Sequence, residues 1–123
     1  MKYRWNRWWA LTVPIVCLAG IYIGSSIPGE SLPDPFKVSW DKLYHIIEFA
    51  VLALAFTWAI ARLKTSGWAP WIPMLALLIA AIYAPLDELH QSHVPGRDAS
   101  VIDVAADWIG CLVGAWGGFW IRG

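Results

Sequence analysis

The sequence predicts an all-α polytopic membrane protein: four transmembrane helices with the N- and C-termini cytoplasmic. Three observations carry that prediction. The 123-residue chain is 59% hydrophobic, and residues 8–29 and 65–86 contain no Asp, Glu, Lys or Arg. Each of those runs is long enough to cross a hydrocarbon core of roughly 30 Å as a helix, and a soluble chain of this size has too little interior to bury two such helices on all sides. The charges also segregate: with four spans, Lys2, Arg4, Arg7, Arg62, Lys64 and Arg122 fall on one side without a single acid. The positive-inside rule makes that side cytoplasmic and leaves all nine acids in the outward loops or the outward halves of the helices.

The first span is expected at about residues 9–27, with Trp5, Trp8 and Trp9 in an interfacial belt. Pro14 is expected to bend it, and Ala19, Gly20, Gly24 and Ser25 to admit another backbone near its far end. Lys2, Arg4 and Arg7 ahead of an apolar run imitate a signal peptide, but the run exceeds the usual secretory core and no strong small-x-small site follows, so a retained helix is expected. A cleaved signal followed by three spans is the alternative. Residues 28–40, with three prolines and a glycine, read as a loop.

The second span is expected over about 42–63, with Asp41 as a plausible N-cap and Asp41, His45 and Glu48 on one stripe at i, i+4 and i+7. Glu48 then lies roughly 10 Å along the axis from Asp41, below the headgroups. A basic turn leads to the third span, about 70–90, where Pro70 suits an early helical position and Trp68 and Trp71 suit the interface. Pro85 is expected to open or kink it beside Asp87. The fourth span, about 100–120, carries Ser100, Asp103 and Asp107 on one face, continued by Gly110 and Gly114. Gly110, Gly114 and Gly117 suit either an internal helix contact or the seam of a homo-oligomer.

Several functions are excluded or unsupported. Zero net charge gives no electrostatic case for nucleic acid or an acidic substrate. Cys17 and Cys111 lie in apolar runs and read as small hydrophobes without a CxxC or paired metal-ligand spacing. No serine elbow, P-loop or HExxH motif is present, and the residues identify no cofactor.

What remains is chemistry at one membrane level. The start of the second helix, the end of the third and the start of the fourth all lie outward, so their polar residues converge. Buried acids cost on the order of 2.5–3.5 kcal/mol each on insertion scales, so they must meet one another, a cation, a proton or water. One reading is an enzyme, with His45, Glu48, Asp87, Asp103 and Asp107 as catalytic residues and Asp41, Lys42, Glu88, Gln91, Arg97 and Ser100 holding substrate. There His45 and Glu48 pair as base and orienting carboxylate, Asp87 with Asp103 or Asp107 forms an acid and base pair, and Arg97 holds a phosphate or carboxylate. A second is an ion- or proton-binding or permeation protein. A third is a structural network in which Arg97 or Lys42 ties down aspartates and His45 reaches Glu48 through water. No metal site is assigned; His45, Glu48, Asp87 and His90 are the first ligands to test.

The chain resembles the VanZ-like family of small membrane proteins. The resemblance rests on DKLYH with Glu48, DELHQ at 87–91, PGR at 95–97, and Ser100, Asp103 and Asp107 followed by Gly110, and it covers about Gly24 to Gly118. It implies a multi-span protein of the cell envelope, a VanZ-like membrane domain over 1–123, and an association with low-level teicoplanin resistance, without implying a reaction. The partners it implies are the bilayer and a lipid-linked envelope precursor or headgroup, met on the extracytoplasmic side. Trp108 departs from the asparagine or threonine that some members show after the last aspartate, and no antibiotic-binding module is present.

Overall fold

The computed structural model describes residues 6–33, 41–64 and 68–120. Lys2, Arg4, Trp5 and Arg122 of the expected basic and aromatic belt lie outside them. The described residues form four helices that are long and apolar enough to span a membrane, and no strand.

The first span opens as a 3-10 turn, Arg7–Leu11, and continues as α1, Thr12–Ser25. Asn6 starts it, its side-chain oxygen accepting from the Trp8 amide at 3.2 Å. Pro14 falls in the first turn of α1, where a missing N–H removes little. The change from 3-10 to α geometry comes just ahead of it, between Leu11 and Thr12.

α2, Asp41–Leu63, is the central helix. It contacts α4, Val101–Trp120, most extensively, and also packs against α1 and α3, Trp71–Gln91. The α2–α4 seam is close because glycines line it. A Cβ on Gly110 would fall on the Ile46 carbonyl, and one on Gly114 on the Ala50 carbonyl. Gly117 has open space around it. The glycine stripe is therefore an internal helix contact at 110 and 114, and position 117 takes no part in it.

Pro85 does not interrupt α3, which runs through it to Gln91. The lost amide leaves the carbonyl four residues back, on Ala81, without its helical partner. The Trp108 indole supplies one, donating Nε1–H to Ala81 O at 3.0 Å from the next helix. Trp108 thus sits on the bundle's outer side, about half exposed.

The two ends of the bundle differ in chemistry. At one end, Trp9 meets Trp58 edge-on, the Arg62 guanidinium lies 5.0 Å from the Trp58 ring, and Lys64 lies 5.4 Å from Trp71. Arg7 donates to the Lys64 carbonyl at 3.2 Å, fastening the chain start to the end of α2. At the other end, two Pro-Gly turns interlock: the Gly29 amide donates to the Pro95 carbonyl at 2.9 Å. Gly96 adopts φ +74, and a Cβ on Gly29 would strike its carbonyl. Both positions therefore exclude a side chain, one by conformation and one by contact. The clasp sets Arg97 over the end of α1.

Candidate functional site

The polar end is assembled from all four helices. α2 contributes Asp41, Lys42, His45 and Glu48. Its register puts His45, 1% exposed, against α4, where Nδ1 lies 2.7 Å from Asp107 Oδ1. The other ring nitrogen, Nε2, lies 3.6 Å from Asp41 Oδ1, one helical turn back. Asp107 and Asp41, not Glu48, are thus the carboxylates that orient His45, and the expected pairing at i+3 is replaced by one across helices. Glu48 instead faces α1, with the Tyr44 hydroxyl as a hydrogen-bond partner and Gly24 leaving room for both.

Asp41 is the first residue of α2, and its carboxylate serves side chains: Lys42 Nζ reaches Asp41 Oδ2 at 3.1 Å and pairs closely with Asp103 Oδ1. Among the described residues, Lys42 therefore ties down the aspartates and Arg97 pairs with none. Asp103 is buried behind that ammonium.

Glu88 and Ser100 divide a capping task. Ser100 Oγ accepts from the Asp103 amide at 3.2 Å, as an N-cap does. In the usual reciprocal box the residue at Asp103 would accept from the Ser100 amide; here Glu88 Oε2 does so from α3, at 3.1 Å. The substitution releases the Asp103 carboxylate for Lys42 and pulls the ends of α3 and α4 together.

Asp87 belongs to a neighbouring tie between α1 and α3. Ser25 Oγ donates to Asp87 Oδ1 at 2.6 Å and Gln91 Nε2 to Oδ2 at 3.1 Å, so both oxygens are engaged. His90 continues the tie outward, 2.9 Å from Ser26 Oγ and stacked on Tyr22. Arg97 directs Nη1 toward the Gly24 and Ile27 carbonyls at 3.5 and 3.4 Å.

The eleven residues expected to act together, Asp41, Lys42, His45, Glu48, Asp87, Glu88, Gln91, Arg97, Ser100, Asp103 and Asp107, are gathered at this end. Their immediate tasks differ. Gln91 and Ser100 spend their hydrogen bonds on Asp87 and on the α4 cap, whereas Glu88 Oε1 and Asp107 Oδ2 are buried without a hydrogen-bond partner. Of the four residues put forward as metal ligands, only His45 belongs to a group with ligand spacing; Glu48, Asp87 and His90 join none among the described residues. Ser25 was missed as a site residue, although a serine pair ending an apolar run at the level of Asp87 was the available signal.

Beside the cluster, two cavities share Leu32, Asp41 and Arg97 as lining. One, about 310 Å³, is bordered by Glu30, Asp98, Gly29 and Gly96. The other, about 220 Å³, is bordered by Gly24, Ile27, Pro33 and Tyr44.

The fold and this site define a four-span α-helical membrane protein with a polar cleft at one end. The chain belongs to the VanZ/LLP1 family, whose model matches residues 3–122. Comparison with curated proteins and with solved structures found no match. Trp108 lies outside the cleft, in the bond to Ala81.

Proposed function

We propose that this protein binds the phosphate- or carboxylate-bearing headgroup of a membrane lipid or lipid-linked envelope precursor, with the cleft opening on the extracytoplasmic side. The observation that carries the reading is Arg97. Its guanidinium borders both cavities, makes only long contacts to two carbonyls, and has no carboxylate in ion-pair range among the described residues. A planar donor of this kind suits phosphate or carboxylate. Ile27, Leu32 and Pro33 on the adjoining wall offer an apolar surface for the attached chain. An amphiphile fits both.

Permeation is less well supported. Below the cluster the core is Phe49, Leu52, Ala53 and Ala59, all buried, and Thr57, the one buried hydroxyl there among the described residues, donates to the Ala53 carbonyl. Capture of an envelope precursor at this cleft is the route by which the protein would contribute to teicoplanin resistance.

The test is binding of phosphatidylglycerol against phosphatidylcholine by native mass spectrometry of the purified protein. The wild type is expected to retain phosphatidylglycerol, and Arg97→Gln to bind it about 10- to 100-fold more weakly, the loss of one charged hydrogen-bonding partner. Retention of phosphatidylglycerol by neither protein, or equally by both, would refute the reading, and equal retention of phosphatidylcholine by the wild type would show that the phosphate itself is what Arg97 holds. For the side, His93→Cys, on the exposed turn after α3, should react in intact cells with a membrane-impermeant maleimide.

A further inference from the structure

Six carboxylates from α2, α3 and α4 meet at the polar end: Asp41, Glu48, Asp87, Glu88, Asp103 and Asp107. Among the described residues the fixed cations near them are Lys42 and Arg97. Lys42 lies between Asp41 and Asp103 and occupies the place that a metal would take in the group Asp41, His45 and Asp103.

A second group, His45, Glu88 and Asp107, has no such occupant. Its three members come from three helices, are all buried, and bring their ligand atoms within 4.8 Å of one another. Two of its oxygens stand unpartnered: Glu88 Oε1, 3.9 Å from His45 Nδ1, and Asp107 Oδ2. Glu88 is 6% and Asp107 0% exposed. An orphaned carboxylate oxygen at that depth is costly, and two beside one imidazole are an unfinished coordination shell.

We propose that His45 Nδ1, Glu88 and Asp107 bind one divalent transition-metal ion of the Zn²⁺ or Mn²⁺ type. Nitrogen with two carboxylates is a donor set for such ions, and three protein ligands leave a position open, as catalytic sites do. Ligand atoms about 2.0–2.2 Å from an ion lie about 3–3.5 Å from each other. The Glu88 oxygen therefore closes by about half an ångström, and the 2.7 Å His45–Asp107 contact widens slightly as the ion replaces the shared proton. The remaining ring nitrogen, Nε2, points to Asp41, the carboxylate that metal-bound histidines commonly require to fix their orientation. Asp41 is thus a positioning residue.

The inference does not depend on what the cleft binds, so it is tested without added lipid. Chelator-stripped protein in a non-ionic detergent is titrated with Mn²⁺, followed by the electron paramagnetic resonance signal of the free ion, and Zn²⁺ is added in competition. One ion per chain is expected. His45→Gln, Glu88→Gln and Asp107→Asn should each weaken binding by more than about 100-fold, and Asp41→Asn by about 10- to 100-fold. His90→Gln should bind as the wild type does. Thermal melting with and without Mn²⁺ separates folding from ligation: the ion raises the wild-type midpoint but not that of a folded ligand variant. Should Asp107→Asn fail to fold, Glu88→Gln carries the test, because an amide oxygen can still cap Ser100. Absence of a one-per-chain site, or equal affinity in wild type and folded ligand variants, would overturn the proposal.

Discussion

Alanine at both Gly110 and Gly114 is expected to drive α4 off α2 and leave little folded protein. Each new methyl meets backbone, the carbonyls of Ile46 and Ala50, which cannot rotate aside as a side chain would. Overpacking of this kind costs on the order of 1–3 kcal/mol per site, and two sites on one seam exceed what a small bundle can lose. Packing is also the main force joining helices in lipid, where no hydrophobic gain separates one apolar partner from another. The polar end would be lost with the seam, since His45 and Asp107 meet across it. Gly117→Ala is the internal control: with nothing within 4 Å it should be neutral or slightly stabilising, by up to about 1 kcal/mol of helix propensity. Detergent-titrated unfolding of the three proteins decides the matter. A double variant as stable as the wild type would mean that α2 and α4 are not in this register.

The second large effect is a coupling. Trp108→Phe removes the donor that serves the Ala81 carbonyl, at a cost of about 1–3 kcal/mol for a polar group left unsatisfied in an apolar surround. In a Pro85→Ala background the same change should cost less than about 1 kcal/mol, because the new amide can bond Ala81 along the helix. A double-mutant cycle measured by unfolding in mixed micelles reads the difference. Additive losses would show that the indole bond is incidental.

These two cases show where the sequence was informative. Uncharged runs and the separation of bases from acids make four spans legible, because lipid enforces both over whole segments. Spacing along one helix likewise placed Asp41, His45 and Glu48 on a stripe. It could not choose partners across helices. His45 turns to Asp107 in place of Glu48 because α4, through Gly110 and Gly114, comes close enough to bring a carboxylate to the ring. Arg97 went to α1 and not to the aspartates because the Gly29–Gly96 clasp holds its turn there, a contact between segments far apart in the chain. Nor does the sequence alone show what Trp108 does; the position of Pro85 on the adjoining helix reveals its indole as the partner of the Ala81 carbonyl.

The one-sided placement of charge has an electrical consequence. Among the described residues every acid lies toward the clasp, while the middle and far parts of the bundle are apolar apart from the basic aromatic rim. A full traverse by one elementary charge is worth about 2.3 kcal/mol per 100 mV; an ion or headgroup held at the level of this cluster would cross only the part of that field on the clasp side of it. Its occupancy would therefore respond to the resting voltage of the cell by only a fraction of that energy.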